Sequence, residues 1–243
     1  MSYDYARRGP DGVLLPVDDH HRDVTGGALR AGVFGAMDGL VSNFSLVAGV
    51  IGAGLATNQV ILTGLAGLAA GAFSMAAGEY TSVVSQTEAT EAEIAKEKAA
   101  IAENPEGEAA ELAEIYEGYG MTPEVARLAA DQVTAHPEHS WRVHAREELG
   151  IDPDDLPSPY VAAGSSFAAF TVGALIPLIP LFLGFNSILV VSAVGAIGLF
   201  ASGAIVARLT MRSMWFGGGR QLLLGLVAAA ATYLLGSLVG GAV

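Results

Sequence analysis

The sequence predicts an all-α polytopic membrane protein: five transmembrane helices, with a charged helical insert between the second and the third. Three observations lead there. Of 243 residues, 52% are hydrophobic and the mean hydropathy is +0.47, too apolar for a water-soluble domain of this length. Apolar runs of the ~20 residues that a bilayer core requires recur five times. On the five-span plan all twelve Lys and Arg residues fall on one side, and the opposite loops hold none.

Residues 1–28 are polar, carry Arg7, Arg8 and Arg22, and lack the apolar core of a signal peptide, so they are expected to form a mobile cytoplasmic N-terminal tail. Residues 29–85 hold the first two spans, near 29–54 and 60–85, interrupted by Asp38 and Glu79. On the first, Asp38, Ser42, Ser45, Gly49 and Gly52 recur at alternating steps of four and three, along one helix face. Gly35 and Gly39 flank Asp38 at a spacing that lets helix backbones approach. On the second, Gly67, Gly71, Ser74, Gly78 and Ser85 form a similar seam, with Met75 and Glu79 one turn apart beside it. Residues 160–243 hold the last three spans, near 160–184, 187–209 and 218–241. Pro177 and Pro180 are expected to bend the third span, and the almost purely apolar fifth is expected to face lipid. The positive-inside rule places the N-terminus and insert in the cytoplasm and the C-terminus outside.

The insert, residues 86–159, holds 18 acidic and 5 basic residues, so it alone accounts for the chain's net charge of −13. Such a surface repels nucleic acid and attracts cations. The second span runs unbroken into "QTEATEAEIAKEKAAIAE", and Pro105 and Gly107 are expected to end it. Glu108, Glu111, Glu114 and Glu117 then recur at steps of three. Thr122 is expected to cap a helix with Pro123 in its first turn, and a last helix sets His144 and Glu148 four apart on one face. Each such pair can offer two ligands to one ion. His20, His21, His136 and His139 lack a partner pattern and are taken as surface residues. The absence of cysteine excludes thiolate sites, and no nucleophile–base arrangement stands out, so the chain is not expected to be an enzyme.

A carboxylate within a membrane span costs at least ~2.5–3.5 kcal/mol, so Asp38 needs a reason to be there. By residue count Asp38, Met75 and Glu79 lie at similar depth in the inner half of the membrane. A carboxylate with a thioether makes a transient site for a divalent metal such as Fe2+, and carboxylates there can exchange protons.

The stretches "RAGVFGAMDGLVSNFSLVAGV", "GAFSMAAGEYTSVVSQTEATEAEI" and "HAREELGID" resemble the vacuolar iron transporter family, in its bacterial pattern, over about residues 29–241. The resemblance implies a homodimer whose path runs between the two copies of the first span. It implies export of Fe2+, and often Mn2+, from the cytosol in exchange for protons. It assigns Asp38 and Met75 to a membrane metal site, and Glu97, Glu108, Glu111 and Glu148 to a metal-binding insert. His144 stands where plant members carry methionine, and imidazole also ligates Fe2+. Plant members carry acidic residues where this chain has Gly27, Ala31 and Gly67, and a glycine at Glu79. Their proton-coupling residues therefore do not transfer, and Glu79, with Asp38, is the candidate for that role. Ala100 replaces one expected insert glutamate. The expectation is a proton-coupled exporter in a bacterial cell membrane whose ligands accept Fe2+, Mn2+, Co2+ or Zn2+. The competing expectation is a metal-sensing membrane protein that binds such cations without moving them.

Overall fold

The computed structural model describes residues 7–8, 14–15, 27–185 and 187–242. Within the expected N-terminal tail, β1 (Arg7–Arg8) pairs antiparallel with β2 (Leu14–Leu15), and most of the remaining tail lies outside the described residues. The rest is helical: α1 (Gly27–Gly52), α2 (Thr57–Glu103), α3 (Pro105–Gly118), α4 (Pro123–Thr134), α5 (Pro137–Glu147), α6 (Pro159–Leu175), α7 (Ile179–Phe182), α8 (Ile188–Leu209) and α9 (Met214–Gly240). Five segments among the described residues are long and apolar enough to cross a membrane: α1, the first part of α2, α6 with α7, α8 and α9.

No helix breaker interrupts α2, whose 47 residues span ~70 Å against a hydrocarbon core of ~30 Å. About half of it must therefore stand clear of the bilayer. Asn104 ends α2 and starts α3, its Oδ1 accepting the Gly107 N–H at 3.2 Å. Pro105 and Gly107, expected as terminators, thus lie in the first turn of α3, where a proline sacrifices no helical hydrogen bond. Thr122 sits at the cap position of α4, but its hydroxyl makes no capping bond. Helices α3 and α5 pack against the projecting half of α2, and α4 packs on α3 and α5 around Leu112, Ala113, Ala126 and Ala130.

The third span breaks where expected. A 3-10 turn over Ile176–Leu178 separates α6 from α7, because Pro177 and Pro180 have no N–H to continue the ladder. The membrane core gathers Leu40, Phe44, Val47, Leu178, Val191 and Leu199 around α1, which is flanked by α6 and α9.

The packing adds detail to two sequence expectations. Gly35 and Gly39 serve a contact within the chain: a Cβ on Gly39 would collide with the Phe170 backbone of α6. As expected of a span that faces lipid, most of α9 is exposed. Its small residues make the inner contact: Gly236 and Gly240 lie against the backbone of Gly49 on α1 and of Ala53 just beyond it, while Val227, Leu234, Leu235 and Leu238 are among its exposed side chains. The small-residue seam of α1 is therefore divided, its second half covered by α9 and its first half open.

Candidate metal sites

The open half of that seam forms one wall of a cleft of about 330 Å³ between α1, α2 and α6. Asp38, Ser42 and Asn43 line it from α1, Gly67, Gly71, Ser74 and Met75 from α2, and Phe170 from α6. Asp38 and Ser42 are exposed, as are Phe34 and Phe73 on the same helix pair. Among the described residues Asp38 has no hydrogen-bond or ion-pair partner, so its negative charge is uncompensated. Glu79 differs. Its Oε2 accepts from Arg30 Nη2 at 3.2 Å, and its side chain is only 12% exposed.

Asn43 is buried at 2% exposure, and its Nδ2 donates to the Ala174 carbonyl at 2.6 Å. This bond fixes the amide orientation, because only the NH2 end can donate. The Oδ1 end therefore points the other way, toward Gly67, and is buried without a partner. An unpaired amide oxygen in an apolar setting is costly, and a cation is one group that would satisfy it.

In the insert, the projecting part of α2 supplies Glu97, α3 supplies Glu108, and α5 supplies His144, with Glu148 at its end. One ligand atom from each of these four residues lies within 4.8 Å of the others. The His144 side chain, 1% exposed, is the hub: Nδ1 is 2.7 Å from Glu148 Oε1, 3.3 Å from Glu97 Oε1 and 3.9 Å from Glu108 Oε2. Nδ1 carries at most one hydrogen, so the short contact to Glu148 leaves Glu97 Oε1 without a donor, and that oxygen is buried and unpaired. His144 Nε2 is also buried without a partner. Burial, then the charges of Glu148 and Glu108, push the Glu97 carboxyl up to about 7, against the opposing pull of His144. Burial and the Glu111 charge raise Glu108 as well. Three carboxylates and an imidazole around one point favour a divalent cation, which would neutralise the repulsion that raises these groups.

Residues 29–237 of the chain match the model of the VIT family. The chain belongs to this family. Relatives include a vacuolar iron transporter of Acanthamoeba castellanii, 38% identical over 219 residues, 88% of this chain and 79% of that protein. A vacuolar iron transporter 1 of Arabidopsis thaliana is 31% identical over 231 residues, 91% of each chain. A vacuolar iron transporter 1 of Oryza sativa subsp. japonica is 30% identical over 220 residues, covering 88% of this chain and 87% of that protein.

In this VIT family chain, Asp38 and Met75 line one cleft, and Glu97, Glu108, His144 and Glu148 meet at a second point. Glu111 is exposed outside the four-residue group and acts on it only through its charge. Glu79 stands one turn beyond Met75, held by Arg30. Of the histidines set aside, His136 and His139 are exposed, and His20 and His21 lie outside the described residues. Sequence reasoning passed over Asn43. Its signal was an amide in an apolar run five residues after Asp38, about 140° around the helix and so off the seam that the periodicity traced.

Proposed function

We propose that this VIT family chain is an integral membrane transporter that moves Fe2+, and also Mn2+, out of the cytosol in exchange for protons. The observation that carries the reading is Asp38, an uncompensated carboxylate at the edge of a cleft whose other lining residues are uncharged. The relatives' names supply the cargo: they are called vacuolar iron transporters. Export from the cytosol has the same sense whether the membrane bounds a vacuole or, as the sequence pattern suggests, a bacterial cell.

With the insert in the cytoplasm, its four-residue group collects the ion. Glu97, raised to about 7, exchanges its proton for the metal near neutral pH. The ion then passes to the cleft, where Asp38 supplies charge, Met75 a polarisable sulfur and Asn43 Oδ1 a neutral oxygen. Three donors of mixed type bind weakly enough to release. Asp38 is also a site at which a proton can replace the departing ion, and Glu79 can do the same when its pairing with Arg30 opens.

The exposed edge of the cleft calls for a second copy. A bare carboxylate against lipid is unfavourable, whereas two copies meeting along α1 would set two Asp38 carboxylates about one divalent ion and neutralise it. The path then runs at the homodimer interface.

The test is Fe2+ flux into proteoliposomes with and without an acidic lumen. Uptake that needs the acidic lumen is the expected result. Uptake that ignores it would make the protein a channel, and binding without uptake in correctly oriented vesicles would make it a metal sensor.

A further inference from the structure

From Arg30 onward the cations fall into two groups. Arg30 pairs with Glu79, Lys96 with Glu93, Arg127 with Asp131, Arg142 with Asp154 and Arg146 with Asp152, while Lys98 lies over the Trp141 ring. The guanidinium groups of Arg208, Arg212 and Arg220 have no partner among the described residues, although the acidic insert leaves the same end of the helix bundle. All three belong to the α8–α9 corner. There, Arg212 and Arg220 line a cavity of about 410 Å³ with Thr210, Ser213 and Phe216, and no carboxylate lines it.

The corner is built to hold this arrangement. Met211 takes a left-handed φ of 55°, and the Arg212 N–H donates to the Ala207 carbonyl at 2.7 Å, folding the chain back over the end of α8. The left-handed region is unfavourable for a residue with a side chain, so the turn is held by its surroundings. Thr210 spends its hydroxyl hydrogen on the carbonyls of Val206 and Ala207. Ser213, at the cap position of α9, makes no side-chain capping bond and keeps its hydroxyl free to donate. Trp215 and Phe216, on the next turn, are 80% and 70% exposed. A tryptophan ring in such a position settles at the membrane–water interface, and a phenylalanine ring beside it favours the adjoining acyl region. The positive-inside rule asks only for charge in this loop. It does not ask for two unpaired arginines on one cavity, with a free donor between them.

We propose that this cavity binds the phosphate of an anionic lipid headgroup. Arg212 and Arg220 clamp the phosphate oxygens, since guanidinium matches phosphate in both geometry and charge. Ser213 donates to a third oxygen, and Trp215 and Phe216 lie along the start of the acyl chains. A soluble phosphate would gain the arginine contacts but nothing from the two exposed rings, which favours the lipid as occupant.

The chain has only two tryptophans, so Trp141→Phe leaves Trp215 as the sole reporter. The full-length Trp141→Phe protein is reconstituted into phosphatidylcholine vesicles with increasing brominated phosphatidylglycerol or brominated phosphatidylcholine, and Trp215 quenching is followed. The expected result is roughly tenfold stronger apparent binding of phosphatidylglycerol. That preference should vanish in the Arg212→Gln/Arg220→Gln variant and persist in Lys96→Gln/Arg127→Gln, which removes equal charge elsewhere. Equal quenching by both lipids, or a preference that survives the double substitution, would overturn the proposal. So would displacement of the brominated phosphatidylglycerol by excess inorganic phosphate, which would identify a soluble anion as the ligand.

Discussion

Asn43 and Glu97 show how single side chains announce a ligand. Each presents a buried oxygen with no partner, and each sits among other donors. Replacing Asn43 by leucine removes the Oδ1 ligand and strands the Ala174 carbonyl, so Asn43→Leu should lower thermal stability in detergent by roughly 1–3 kcal/mol as well as slow Fe2+ flux. Unchanged stability would mean that the amide bond to α6 contributes nothing.

The pH response of Glu97 has a definite sign. Its folded value of about 7 lies above the ordinary 4.5, so the folded state binds the extra proton. The metal-free protein should therefore lose stability as pH rises from 4.5 to about 7, with the full penalty present above that. A bound cation cancels the penalty, so the Mn2+-induced rise in unfolding temperature should be larger at pH 8 than at pH 5.5. Glu97→Gln should flatten the metal-free dependence, and a native protein that stabilises with rising pH over this window would refute the assignment. Of these residues, Glu97 was legible only through the family resemblance. Asn43 was not, because a periodic seam registers one face and the amide reaches the cleft from another. Glu111 shows the reverse limit: an ExxE step is visible in sequence, but which of its carboxylates turns inward depends on how α3 docks on α2 and α5.

At the level of whole helices, the legible features were those set by local chemistry. The unbroken α2 follows from 47 residues without a breaker, and the kinked third span follows from two prolines. The partner of α9 was not legible, since leucine and valine suit lipid and helix contacts equally. Its glycines held the answer. A Cβ on Gly236 would collide with the Gly49 backbone, which cannot yield without parting the helices, whereas one on Gly164 of α6 would meet nothing within 4 Å. Gly236→Leu should thus destabilise the protein by about 1–3 kcal/mol or more. Gly164→Ala should be neutral or stabilising, by up to ~1 kcal/mol. Thermal unfolding of both variants checks the contrast, and equal effects would mean that α9 does not pack on α1 as described.

For the molecule as a whole, the chain divides its charge between an acidic insert and an apolar bundle, and the two candidate metal points lie one in each. The proposed homodimer along α1 joins them. Because the chain has no cysteine, a single introduced thiol reports that contact cleanly. Ser42→Cys, on the open wall of the cleft, should give a covalent dimer on mild oxidation in vesicles. Leu189→Cys, 77% exposed on α8, should remain monomeric under the same conditions. Crosslinking through position 189 alone would move the interface to another face.

The central claim, that the ion passes Asp38, is tested most directly by Fe2+ uptake into acid-loaded proteoliposomes containing Asp38→Asn, with Mn2+ binding by the insert measured on the same preparation. The account predicts uptake no greater than in protein-free vesicles while insert binding stays native. Uptake at the native rate would contradict it.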